Sequence, residues 1–299
     1  MPNYTRAGCS DRWNATLAPN TGDAAQALIA EVAEYLNLPL EEVQAAMANA
    51  TTAFTTEWRV MVGEQADERA ITRFYNESRT ELFDLAKWHA DDDIHYRTLV
   101  CADIASGRPG RRYLDYGSGI GSDALIFAAM GFEVTLADIS EPLAAFAKWR
   151  FERRGLPVTT IDLKRERPRP QHYDAVLCFD VLEHIPHPVR TVQGIHAAMR
   201  PGGLLFLHAP FGVDADRPMH VVHEDVVSPR MAGVGFARRV DLEAAFPDWL
   251  WAPAVYQQRH LPVLDRLGYQ VRDRWLPTGA ATVLGRVYRS LVPRRARPI

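Results

Sequence analysis

The sequence predicts an α/β fold, a doubly wound and mostly parallel sheet preceded by a helical N-terminal cap. Three observations carry this expectation. From Arg111 onward, apolar runs of strand length alternate with helix-patterned stretches, as parallel strands joined by crossover helices require. Between Asp23 and Ala105 the apolar spacing is helical and no strand pattern occurs. A glycine-spaced turn, Gly117, Gly119 and Gly121, follows the first strand, and the carboxyl ends of such strands are where open α/β sheets hold ligands.

The elements follow in order. Residues 1–22 are polar with Pro and Gly and read as an irregular arm. Asp23 is a good N-cap, and Leu28, Ile29, Val32, Tyr35 and Leu36 then recur at helical spacing. Pro39 interrupts, and Leu40, Val43 and Met47 begin a second short helix. A third lies near Phe54–Val62, and a longer one carries Ile71, Phe74, Tyr75, Leu82, Leu85 and Ala86. The first strand, Tyr113-Leu114-Asp115-Tyr116, runs into the glycine turn and a helix at Asp123–Phe127. The second, Phe132–Ala137, closes on Asp138. Ser140 then caps a helix with Glu141 and Pro142 in its first turn. The third strand, Val158–Ile161, leads to Asp162-Leu163, and the fourth, from Tyr173, exits through Phe179-Asp180-Val181-Leu182-Glu183-His184. Met199-Arg200-Pro201-Gly202-Gly203 precedes a fifth strand, Leu204–Leu207. Residues 209–258, rich in aromatics and histidine, read as an insertion, with closing elements at 260–268, 269–276 and 281–288. The division is thus a cap over 1–105 and a ligand-binding domain over 106–299.

Composition narrows the function classes. With 299 residues and 47% hydrophobic content, the chain can bury a sizeable core. A net charge of −3 gives no basic face for nucleic acid. Cys9, Cys101 and Cys178 are odd in number and far apart, which suggests neither a disulfide framework nor a metal spacing and fits a reducing cytoplasm. The N-terminus lacks the pattern of a signal peptide, and no apolar run is long enough for a membrane span. The expectation is a soluble cytoplasmic protein. Its oligomeric state is left open, a homodimer included.

The chemistry begins at the glycine turn. Alternate glycines let backbone N–H groups approach a ligand, and the helix N-terminus behind them favours an anionic group. Asp138, at the end of the next strand, can accept both hydroxyls of a ribose. A dinucleotide fingerprint would need a third glycine at Ser122, which argues against a nicotinamide oxidoreductase. The pattern present is D-x-G-x-G-x-G, from Asp115 to Gly121. Together with Asp138, Asp162-Leu163, Phe179-Asp180 and the Met199–Gly203 turn, it resembles the class I S-adenosylmethionine (SAM) methyltransferases, most strongly over residues 111–210.

That resemblance implies a Rossmann-like sheet of seven strands, SAM as cofactor and S-adenosylhomocysteine as product. It implies that Asp115, Gly117, Ser118, Gly119 and Gly121 wrap the methionine part and that Asp138 holds the ribose. Ile139 would lie against the adenine, Asp162 would accept its amino group with Leu163 beside it, and Phe179 would border the site. Methyl transfer is an in-line displacement that gains most from alignment and exclusion of water, but the acceptor can need a base. The candidates are His184, His208 and Asp180, and histidine has the right pKa range. Asp180, Glu183 and His184 with His220 or His223 could also form a carboxylate–imidazole set for a divalent ion. Ubiquinone O-methyltransferases and small-RNA 2′-O-methyltransferases use a related E-x-x-E-H arrangement; here Asp180 stands in place of the first Glu, and no metal is included in the expected set. Tyr75, Trp88, His89, His220 and His223 are candidates for a lid over the substrate. The expected activity is methyl transfer to O or N, less so C, of a small molecule of specialised or cofactor metabolism. The alternatives are another SAM-dependent reaction type, such as rearrangement or decarboxylation, and a non-catalytic SAM-binding partner subunit.

Overall fold

The computed structural model describes residues 4–63, 67–91, 93–212, 217–221 and 227–259. Among the described residues, seven α-helices precede the first strand: α1 (Arg6–Leu17), α2 (Ala24–Leu36), α3 (Leu40–Ala48), α4 (Ala50–Met61), α5 (Glu68–Glu77), α6 (Glu81–Asp91) and α7 (Arg97–Ser106). Strands and helices then alternate: β1 (Arg112–Tyr116), α8 (Ser122–Ala129), β2 (Glu133–Asp138), α9 (Glu141–Arg153), β3 (Val158–Asp162), β4 (Tyr173–Phe179), α10 (Pro188–Ala198) and β5 (Met199–His208). The described chain closes with α11 (Val227–Val234), β6 (Phe236–Arg238) and β7 (Ala254–Gln258). These form one seven-stranded sheet in the order β3-β2-β1-β4-β5-β7-β6. The pairings from β3 to β5 are parallel, and β7 runs antiparallel to both neighbours.

The doubly wound fold is therefore the one the alternation of strands and helices predicts. Three local expectations are corrected. Residues 6–17 are helical rather than irregular. Thr5 caps the helix by accepting the Gly8 N–H at 3.1 Å, and Cys9, Trp13 and Leu17, spaced by four, are its buried residues. The single helix read across Ile71–Ala86 is two, broken at Ser78–Thr80, where the Ser78 and Thr80 hydroxyls and the Arg79 N–H all bond the Glu57 carboxylate. Most consequentially, β6 and β7 lie inside the span read as an insertion, so residues 209–258 complete the sheet. The proposed closing elements after residue 259 lie outside the described residues.

Apolar packing sets the layers. On one side, Trp13, Leu17, Leu99 and Phe127 join strand residues such as Tyr113, Leu136 and Phe206. On the other, Val192 and Ile195 of α10 and Met231 of α11 pack against Leu114, Val176 and Leu205. A third cluster joins the cap to the sheet domain, with Leu28, Val32, Val43 and Ala86 against Ile120, Leu143 and Phe146. Burying such side chains stabilises by roughly 1.5–3 kcal/mol each, which fixes α6 over the glycine turn. Among the described residues no helix is long and apolar enough to cross a membrane.

Strand order reverses between β1 and β4. The loops leaving these adjacent parallel strands depart in opposite directions and leave a crevice at their carboxyl ends.

Candidate active site

A cavity of about 870 Å³ occupies this crevice, toward the upper end of the roughly 300–1,000 Å³ common for small-ligand sites. It therefore has room for more than one small molecule. The cap supplies part of the wall through Tyr75, Glu81, Leu85, Trp88, His89 and Arg97, and the strand exits supply the rest.

The glycine turn forms one side. Gly117 has φ +76°, a left-handed conformation that glycine adopts without steric cost. A Cβ there would also lie 2.2 Å from Val181 Cγ2, so the position demands glycine twice over. Gly117, Ser118, Gly119 and Asp115 line the cavity. Gly121 does not; it caps α8, and a Cβ on it would come within 3.0 Å of Ala147. Its role is close packing of helices.

Asp138 faces the turn from the end of β2. Its Oδ2 accepts the Gly119 N–H and its Oδ1 the Ser140 N–H, both at 2.8 Å. Burial raises its pKa, and these backbone hydrogen bonds partly oppose the rise. A carboxylate offers about four lone-pair sites, so acceptor capacity remains toward the cavity. Ile139, Leu143 and Leu163 add apolar wall beside it, suited to a flat ring. Asp162 is not on this wall. Its carboxylate is drawn off by Lys164 (Nζ at 3.1 Å) and Arg165 (Nε at 3.3 Å), so the position facing the cavity is the next residue, Leu163.

At the exit of β4, Asp180 sits at φ +55° between two partners. Arg97 Nη2 lies 2.5 Å from Oδ2, and His208 Nδ1–H donates to Oδ1 at 2.6 Å. Burial alone would raise the Asp180 pKa, but the Arg97 charge and the His208 hydrogen bond hold it well below the usual carboxylate range. So poised, Asp180 is a weak base, and its role is to hold Arg97 and His208. His208 points its Nδ1 at Asp180 and is not part of the cavity wall. Asp180 and His208 thus leave the set of candidate bases.

Arg97 went unrecognised in the sequence. It is 1% exposed, lies 4.1 Å from the Phe179 ring centroid, and its Nε and Nη1 have no hydrogen-bond partner among the described residues. A buried guanidinium with donors to spare suits a carboxylate. No local pattern announces it, because its ion-pair partner is 83 residues away.

Glu183, His184 and His220 come together across the crevice, each offering a ligand atom within 4.8 Å of the others. His184 Nδ1 lies 3.1 Å from Met219 O and His220 Nδ1 lies 3.0 Å from Gly212 O. A carbonyl only accepts, so in each ring Nδ1 carries a proton. Tying one ring nitrogen to a carbonyl is the usual way to orient the other toward a ligand. Glu183 is 1% exposed and its Oε2 has no hydrogen-bond partner among the described residues. Burial, then the nearby Asp180 charge, pushes its pKa up to about 9. Asp180, which the sequence grouped with this set, belongs instead to Arg97 and His208. His223 lies outside the described residues.

The remaining lid candidates, Tyr75, Trp88 and His89, all reach the cavity. Tyr75 stands edge-on to His184, with ring centroids 6.5 Å apart. His89 stacks on His95 at 3.9 Å, and burial, reinforced by His95, lowers its pKa well below the ordinary value.

This architecture has a counterpart among known proteins. A methyltransferase-domain family matches residues 90–270, more than half of the chain, and the chain belongs to that family. S-adenosylmethionine is its cofactor, and the residues fit it: a glycine turn, a carboxylate with spare lone pairs, an apolar wall and a guanidinium with two nitrogens unpartnered among the described residues meet in one cavity. A ubiquinone biosynthesis O-methyltransferase of Xanthomonas campestris pv. campestris is 32% identical over 131 residues, 40% of this chain and 54% of that protein. One from Aromatoleum aromaticum is 36% identical over 117 residues, 38% of this chain and 50% of that protein. The chain thus spans about half the length of the curated relatives it matches. Among solved structures, the 1,6-didemethyltoxoflavin-N1-methyltransferase of Burkholderia thailandensis, with bound 1,6-didemethyltoxoflavin and S-adenosylhomocysteine, is 20% identical with a TM-score of 0.43 (59% of this chain, 82% of that one). A SAM-dependent methyltransferase of Leishmania major is 17% identical with a TM-score of 0.46 (67% of this chain, 88% of that one).

Proposed function

We propose that the chain transfers a methyl group from SAM to an oxygen of a small hydroxylated molecule, in cofactor or specialised metabolism. The observation that carries this reading is the trio Glu183, His184 and His220, set in the same cavity as the glycine turn and Asp138. The naming of the sequence relatives as ubiquinone biosynthesis O-methyltransferases supports the oxygen acceptor. Cover by the cap and a net charge of −3 support a small molecule over a nucleic acid.

SAM supplies an electrophilic methyl on a sulfonium that leaves as a neutral thioether. The protein's part is placement and proton management. Asp138 would take ribose hydroxyls, Asp115–Gly119 would hold the amino-acid arm, Arg97 would meet its carboxylate, and Ile139 and Leu163 would pack on the adenine. Asp180 holds Arg97 in place. His184 and His220 both line the cavity, and one of them serves as the base that takes the acceptor's proton as the new bond forms. Tyr75 and the cap exclude water.

A second reading has its own observation. One carboxylate oxygen and two imidazole nitrogens within 4.8 Å of one another also suit a divalent cation, which would polarise the acceptor oxygen and lower its pKa. Glu183, His184 and His220 would hold it.

The test is a product screen by mass spectrometry, with SAM and matched panels of phenols, alcohols and amines, run with and without Mg²⁺, Mn²⁺ or Zn²⁺. O-methyl products are expected. Products confined to amines would overturn the oxygen assignment, and turnover unchanged by metal stripping would overturn the cation reading.

A further inference from the structure

The cap places a buried acid, Glu81, beside Asp138. Glu81 opens α6 and is 7% exposed. Ser140 lies between the two carboxyls: its N–H donates to Asp138 Oδ1 at 2.8 Å, and its hydroxyl donates to Glu81 Oε2 at 3.3 Å. Both acids line the cavity.

Helix architecture does not account for this side chain. Ser78-Arg79-Thr80-Glu81 has the spacing of a capping box, in which Ser accepts the Glu N–H and the Glu side chain reaches back to the Ser N–H. The first half is made, with the Glu81 N–H 3.1 Å from Ser78 Oγ. The second is not. The Ser78 N–H donates to Phe74 O instead, and the Glu81 carboxyl turns away from the helix end toward Ser140 and the cavity. Nor, among the described residues, is it half of an ion pair. The charges that act on it most, Asp138, Asp84 and Glu57, are all acidic, and with burial they push its pKa well up. Two acids buried side by side are costly, and each keeps acceptor capacity beyond the bonds from Gly119 and Ser140. A vicinal diol brings two donors.

We infer that Glu81 is a second acceptor for the cofactor's ribose, taking one hydroxyl while Asp138 takes the other, so that a cap residue forms part of the cofactor site. This rests on the reading that Asp138 holds the ribose. It has a mechanical consequence. A bound cofactor would bridge α6 of the cap to β2 of the sheet domain and hold the cap closed over the acceptor.

The test is calorimetric titration of the full chain with S-adenosylhomocysteine and its 2′-deoxy and 3′-deoxy analogues, on wild type, Glu81→Gln, Glu81→Ala and Asp138→Ala, with circular dichroism confirming that each variant is folded. Glu81→Ala is expected to weaken binding of the parent nucleoside by roughly tenfold or more, and Glu81→Gln, which keeps an acceptor oxygen, by less. The Glu81→Ala loss should nearly vanish against one deoxy analogue, and the Asp138→Ala loss should shrink most against the other, because each missing hydroxyl removes the partner that the variant also removes. An unchanged affinity in Glu81→Ala, or the same fold-loss against all three ligands, would overturn the inference. If Asp138→Ala alone showed no dependence on the hydroxyls, the ribose reading of Asp138 would fail separately. A wild type that binds none of the three would remove both.

Discussion

Two regions of this molecule bury charge, and they treat it in opposite ways. At the junction of cap and sheet, Arg150 on α9 is 1% exposed. Its Nε meets Glu31 Oε2 at 2.8 Å, and its Nη1 donates to Ile120 O at 2.7 Å and Ser122 Oγ at 2.8 Å. Arg154 takes the other Glu31 oxygen at 2.5 Å. The charges there are answered by the protein itself. In the crevice, Glu81, Asp115, Asp138 and Glu183 are buried with their pKa values raised. Glu183 Oε2, Ser118 Oγ and two Arg97 nitrogens have no partner among the described residues. Burial is equal in the two places and satisfaction is not. Unmet polar groups cost about 1–3 kcal/mol each, a cost best explained where a ligand removes it. The first region is structural and the second is a site.

The largest effect should come from breaking the satisfied region. Arg150→Met leaves Glu31 buried without its main partner and should cost about 3–5 kcal/mol, read by urea denaturation. A loss below about 1 kcal/mol would mean that Arg154 and water compensate, and the contrast would weaken. In the crevice, His220→Ala should lower turnover of an accepted substrate by roughly a hundredfold while leaving S-adenosylhomocysteine affinity within about twofold. A parallel loss of both would make His220 a cofactor residue. Asp138→Ala should weaken S-adenosylhomocysteine binding by roughly tenfold or more and leave a folded protein; an unchanged affinity in calorimetry would refute the ribose role.

The smallest effect is in pH. Asp123, whose pKa burial raises to about 6, binds a proton more tightly folded than unfolded. Its share of stability is therefore present at low pH and declines as pH rises from the ordinary carboxylate value through about 6. Asp123→Asn can still accept the Thr98 hydroxyl that Asp123 accepts at 2.6 Å, and it should flatten that slope, raising the melting temperature at pH 7 relative to pH 5. An unaltered difference between the two pH values would show that Asp123 does not titrate there.

The same contrast explains what could be read from the sequence. The five parallel strands, the glycine turn and Asp138 are written in local patterns: apolar runs that end on Asp or Gly at positions set by short loops. Helix α1 escaped because only Cys9, Trp13 and Leu17 of its twelve residues are buried, too sparse a stripe to stand out. Strand β6 escaped because it is three residues long, and β7 because its last two residues, Gln257 and Gln258, are polar although Gln258 is buried. The residues of the site divide likewise. Gly117, Asp138 and His184 lie at strand exits and are recognisable there. Arg97 and Glu81 meet partners 83 and 59 residues away, and Asp180 reads as a base in sequence because Arg97 and His208, which hold it as an anion, are remote from it.

The central claim, that the unsatisfied crevice is a SAM site, is tested most directly by calorimetric titration of metal-stripped protein with SAM and S-adenosylhomocysteine, using NADH as control. Micromolar binding of both sulfur nucleosides and none of NADH is the expected result. A folded protein that binds neither, or binds NADH as well as SAM, would contradict the account.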